Sequence, residues 1–123
     1  TANDILGFAL DMDNKALYIH KNGVYLSNGS AVGVPTSGSS RTGSIIEGLA
    51  GSRDDYVPAG EFMFPVMMDV STSGKAKAEF NFGNGYFGTT QVASEQNPDD
   101  GIGKFEYDVP ANYRAISTKG LNA

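Results

Sequence analysis

Residues 4–26, DILGFALDMDNKALYIHKNGVYL, decide the reading of this chain. From Asp4 to Asp11 the residues alternate, with Leu6, Phe8 and Leu10 on one face. After the polar turn Asp11-Met12-Asp13-Asn14 the period of two resumes at Leu17 and Ile19. A strand, a tight turn and a second strand make a hairpin. At Lys21-Asn22-Gly23 the Asn-Gly pair supplies the two positive-φ residues of a two-residue hairpin turn, and Val24-Tyr25-Leu26 returns to extended chain. The segment therefore predicts a three-stranded meander.

Beyond it, Ser27 to Gly43 is small and polar and reads as a loop, and Ile45-Ile46 is a short strand candidate. Gly48 to Gly60 is Gly-rich and carries Arg53, Asp54, Asp55 and Tyr56. The strongest strand signal follows: Phe62, Phe64, Val66, Met68 and Val70 share one parity. Past Ser71-Thr72-Ser73-Gly74, Ala76, Ala78, Phe80 and Phe82 alternate with Lys75, Lys77, Glu79 and Asn81. Phe80 and Phe82 are expected to face inward together. Pro65 has no amide donor, which places that part of its strand at an edge or a bulge. A second loop, Gly83 to Gly103, precedes a last alternation in which Phe105, Tyr107 and Val109 oppose Lys104, Glu106 and Asp108. No amphipathic helix of useful length and no internal repeat is evident. The expected class is all-β, a sandwich of two antiparallel sheets in a single domain spanning 1–123.

Composition narrows the function classes. The chain has 123 residues and a net charge of −5, and its basic residues are dispersed. Nucleic-acid binding needs several cations on one surface, so it is disfavoured. With no Cys there is no disulfide scaffold, thiolate metal site or thiol nucleophile. No apolar run reaches the length of a membrane span, the longest lying near Phe62 to Met68, so no membrane partner is expected.

The chemistry-bearing residues are read against duller alternatives. Asp11, Asp13 and Asn14 have the spacing of oxygen ligands, but the Gly and distal Glu of a calcium loop are missing, and turn chemistry is the better account. His20 is the only histidine, placed at a strand end beside Lys21, where a solvated role is more ordinary than general-base work. Among the carboxylates nothing selects a pair for glycoside hydrolysis, and Glu106 and Asp108 read as a solvated strand face. Asn97-Pro98-Asp99-Asp100-Gly101 is turn sequence, and Gly83 with Gly85 lacks the Gly-Lys-Ser/Thr of a phosphate loop. No catalytic residue, metal or cofactor is expected. The loop with Arg53, Asp54, Asp55 and Tyr56 combines a planar cation, two acceptors and an amphipathic ring, the makings of a partner contact. Tyr86 and Phe87, after Gly83-Asn84-Gly85, are second candidates.

The order of these parts resembles a SPRY domain. A "D-x-(I/L)-G-x-x-(I/L)-D-x-D" strand is matched by Asp4, Ile5, Leu6, Gly7, Leu10, Asp11 and Asp13, and an "L-x-(F/Y)-x-K-N-G" strand by Leu17, Ile19, Lys21, Asn22 and Gly23. Phe64-Pro65-Val66 is similar to the family's "Y-P-A-V", and Ala78-Glu79-Phe80-Asn81-Phe82-Gly83 to its "V-x-x-N-F-G". Ile19 and His20 stand where the family more often has aromatic residues. The core motifs cover 1–87. Residues 88–123 resemble the C-terminal extension of SPRY-like domains in tailed-phage virion proteins, through Asp100-Gly101-Ile102-Gly103-Lys104-Phe105-Glu106-Tyr107, Val109-Pro110, and Tyr113-Arg114-Ala115-Ile116-Ser117-Thr118-Lys119-Gly120-Leu121. Asn112 and Gly120 depart from that pattern without shifting its register.

The resemblance implies a bent, jelly-roll-type sandwich related to the concanavalin-like lectin folds, used for recognition. It implies a tail-fibre, appendage or decoration module on a virion, binding a neighbouring virion protein or a host-surface glycan, within a larger assembly. A carbohydrate-active enzyme on the same sandwich and an intracellular peptide-binding SPRY adaptor are the alternatives. In the family, strands precede the "D-x-I-G" strand, whereas here Asp4 follows only Thr1-Ala2-Asn3. The Leu6-Phe8-Leu10 face or its strand edge is therefore expected to be completed by another segment of the same polypeptide, N-terminal to this one, or by a neighbouring subunit.

Overall fold

The computed structural model describes residues 3–45, 66 and 77–116. Its strands pair antiparallel, and among the described residues there is no α-helix, so the all-β class holds at that level. Strands β1 (Leu6–Asp11), β2 (Ala16–Lys21) and β3 (Val24–Tyr25) form one sheet in the order β1-β2-β3. The meander read from the sequence is present, with Phe8 opposite Ile19, Leu10 opposite Leu17 and Lys21 opposite Val24.

Both turns are built from the residues that signal them. Asp11 Oδ1 accepts the Asn14 amide at 2.8 Å and Oδ2 accepts the Asn14 side-chain N–H at 2.8 Å, while Lys15 takes the left-handed conformation. The Asp11 carboxylate is thereby occupied as a turn cap. Asn22 and Gly23 have φ of 51° and 84°, the signature of the mirror-image turn that matches the twist of a hairpin. Asn22 also fastens the chain start. Its Oδ1 accepts the Ile5 N–H at 2.8 Å, its Nδ2 donates to Asp4 at 2.9 Å, and Lys21 pairs with Asp4 at 2.8 Å.

The hydrophobic alternation marks the Leu6, Phe8, Leu10, Leu17 and Ile19 face as apolar, yet the structure buries the opposite one. Ala9, Ala16 and Tyr18 form the buried cluster, with Tyr25 and Tyr113 packed against it, whereas Leu6 and Phe8 are 53% and 64% exposed. The reason lies in residues 33–44, which the sequence marks as a polar loop unfit for a core. The chain turns through Asn28 to Ala31, runs back along Leu26, and forms a 3₁₀ helix at Pro35–Ser40, interrupted at Gly38. It then returns so that the Ile45 N–H reaches the Leu17 carbonyl at 2.8 Å. Gly33, Pro35, Gly43 and Ser44 are buried. A Cβ at Gly33 would lie 3.3 Å from the Tyr18 ring, and one at Gly43 only 2.3 Å from the Val32 backbone, so a large phenol is matched with residues that have almost no side chain. Its hydroxyl is 3.3 Å from Ser37 Oγ, and the partly buried Tyr113 donates to the Pro35 carbonyl at 3.0 Å, so both phenols are satisfied. The Arg41 guanidinium donates to the Asn14 carbonyl and ties the loop to the β1–β2 turn.

The second loop also differs from expectation. Within Gly83–Gly103 a short hairpin forms from β4 (Tyr86–Phe87) and β5 (Thr90–Gln91). Instead of a strand over 105–109 there is one antiparallel bridge, Gln96 to Phe105. Phe80 and Phe82, expected inward, are 50% and 43% exposed and stack on each other with ring centroids 5.8 Å apart. Residues sharing a parity do meet there, but as an exposed aromatic pair. The partner strand expected around Pro65 lies outside the described residues, apart from the exposed Val66.

Candidate functional site

Across the covered face of the sheet, Gly7, His20 and Tyr25 form one row, Gly7 opposite His20 on β1–β2 and His20 opposite Tyr25 on β2–β3. The missing side chain at Gly7 shapes the row. A Cβ there would fall 1.9 Å from His20 Nε2, so only glycine lets the imidazole lie over β1. On its other side His20 Nδ1 accepts the Gly23 N–H at 3.2 Å, which leaves the proton of the neutral ring on Nε2. Gly23 has a second duty: a Cβ on it would meet Tyr107 Cδ1 at 2.7 Å, so the turn glycine also makes room for the Tyr107 ring. His20 stands edge-to-face against Tyr25 and Tyr107, at centroid distances of 5.5 and 5.4 Å. The solvated strand-end histidine expected from the sequence is thus a half-buried ring held by two tyrosines.

These rings open into a cleft of about 350 Å³, lined by His20, Gly23, Tyr25, Tyr107, Asp108 and Thr36 and bordered by Pro35 and Pro110. Burial lowers the His20 pKa and keeps the imidazole neutral. Burial, helped by the Asp108 carboxylate, pushes the Tyr25 phenol up to about 12, so Tyr25 stays a hydrogen-bond donor at neutral pH. Tyr113, behind the cleft, is also raised, first by burial and then by Asp11 and the neighbouring phenols. Because the chain does not continue as a strand here, Tyr107 and Asp108 both line the cleft, although strict alternation places them on opposite faces. Glu106 faces elsewhere and accepts the Ala93 N–H at 2.6 Å.

The cleft offers flat apolar ring surface, hydroxyls that donate or accept, and one carboxylate. Among the described residues no group of three His, Asp or Glu side chains is placed to hold a metal ion. No described helix is long and apolar enough to cross a membrane. Of the contact residues expected from the sequence, Arg53, Asp54, Asp55 and Tyr56 lie outside the described residues. Tyr86 is exposed and Phe87 half-buried on β4, and neither lines the cleft. The pairing of His20 with Tyr25 was readable from the Asn-Gly turn, since they flank it one residue pair away from its closing pair. Nothing in the sequence brings Tyr107 to them. No protein-family model matches the chain, and neither a curated protein nor a solved structure matches it. The likeness to SPRY domains therefore rests on the ordered motifs.

Proposed function

We propose that this chain is a non-enzymatic binding module of a virion, a SPRY-like β-sandwich that recognises a neighbouring virion protein or a host-surface glycan. The observation that carries the binding reading is the open cleft between Tyr25, His20 and Tyr107. Aromatic side chains held by packing are economical contact surface, since little rotamer freedom is lost when a partner arrives. Among the described residues Asp108 is the one carboxylate of the cleft lining, whereas glycoside hydrolysis calls for two flanking the scissile bond, which favours binding over turnover. The virion setting is supported by the ordered motifs of 1–87 and by the tail-like pattern of 88–123.

The test uses the full chain against a glycan array and against purified proteins of the same particle. Tyr107→Ala is expected to weaken binding about tenfold while the melting temperature stays nearly unchanged. Release of reducing sugar by the wild-type chain, lost in Asp108→Asn, would replace this reading with a carbohydrate-active enzyme. Undiminished binding by Tyr107→Ala would move the contact away from the cleft.

A further inference from the structure

We propose that the cleft takes a guanidinium group, the arginine of an extended segment of the partner protein. The inference rests on reading the cleft as a partner site and names what enters it. Among the described residues its lining holds one acidic side chain, Asp108, and no Lys or Arg. An anionic ligand, whether phosphate, carboxylate or acidic sugar, would meet uncompensated repulsion there. A cation meets the opposite. Asp108 lies close enough to Tyr25 to help hold that phenol protonated, so carboxylate and ring are within electrostatic reach of each other. A planar guanidinium uses both at once, hydrogen-bonding a carboxylate while laying its weakly hydrated face on an aromatic ring.

The remaining walls suit the rest of such a segment. Pro110 gives a flat apolar edge, the Thr36 and Tyr25 hydroxyls can pair with peptide groups, and His20 is wedged between Gly7 and the Gly23 amide. Half-buried and with its pKa lowered by that burial, His20 adds no competing positive charge at neutral pH. The net charge of −5 also favours approach of a basic partner. A neutral pyranose could stack on the same rings but would make no use of the Asp108 charge.

The experiment titrates the full chain, by calorimetry and by NMR of the Tyr and His ring signals, with the capped peptide Pro-Arg-Pro, its citrulline analogue and a methyl glycoside. Citrulline keeps the shape of arginine without its charge. The arginine peptide is expected to bind about tenfold more tightly than the citrulline one, with the His20 and Tyr107 signals shifting. Asp108→Asn should remove most of that difference. Tyr107→Leu should weaken both peptides, and both variants should melt within a few degrees of wild type. Equal binding of the two peptides, or binding of neither, overturns the proposal. Cleft binding by the glycoside instead would overturn it while leaving the binding-module reading intact, and a cleft silent to all three, with the partner held elsewhere, would remove both.

Discussion

The two faces of the three-stranded sheet are the most instructive contrast in the molecule. One carries Leu6, Phe8, Leu10, Leu17, Ile19 and Val24, and is by composition the more hydrophobic. The other carries Gly7, Ala9, Ala16, Tyr18, His20 and Tyr25. Hydrophobicity alone would bury the first, yet Tyr18 is fully buried on the second while Val24 and Phe8 are mostly exposed. Burial is decided by what can approach a face. Glycines at 33 and 43 let the 33–44 loop come down onto the tyrosine, whose hydroxyl then finds Ser37, and Tyr113 seals the edge by bonding to Pro35. A functional cleft results because this face mixes rings with missing side chains.

The contrast breaks if substitutions on the two faces cost the same. Tyr18→Ala should have the largest effect, about 3–5 kcal/mol by denaturant titration, since it empties the centre of the buried cluster. A loss near 1 kcal/mol would mean that the tyrosine face is not the core. Next comes Gly7→Ala, an addition of one methyl group. It should cost about 1–3 kcal/mol because the imidazole of His20 occupies the space, and it should also disturb the Tyr107 ring signals. Phe8→Ala removes a whole phenyl ring from the aliphatic face and should cost only about 0.5 kcal/mol, as for an exposed site. A loss as large as that of Tyr18→Ala would show that another segment or subunit covers Leu6 and Phe8, the completion expected from the family resemblance.

How far the sequence could be read follows the same division. The β1–β2–β3 meander was legible because Asp11-Met12-Asp13-Asn14 and Asn22-Gly23 are local signals whose geometry depends on a few adjacent residues. Alternation told which residues share a face, but it carries no information on which face is covered. That depends on a loop whose small residues look like solvent-exposed chain until Tyr18 is set beside them. The β4–β5 hairpin was hidden for a similar reason, its two-residue strands being too short to show a period among the surrounding glycines. Half of the cleft was visible in principle, since the register of the Asn-Gly turn sets His20 against Tyr25. Alternation places Tyr107 and Asp108 on opposite faces, but the chain here pairs at a single bridge, so both line the cleft.

The smallest expected effect concerns His20 and pH. Its pKa in the folded chain lies below the ordinary 6.5 because burial disfavours the imidazolium, so the unfolded chain binds the proton more readily than the folded one. Stability from this group is fully present above about pH 6.5 and is lost as pH falls through the depressed folded pKa. Among the described residues, the Tyr25 and Tyr107 rings stand against the imidazole, and Asp108 lines the same cleft. His20→Gln should therefore flatten the decline in melting temperature between about pH 8 and pH 5, while the high-pH plateau falls by the ring packing and the Gly23 contact it removes. NMR titration of the His20 Cε1 proton gives the same quantity directly. A midpoint at or above 6.5 would mean that Asp108 outweighs burial at this ring, and the covered face would then hold its histidine charged, a wetter environment than the one beneath Tyr18.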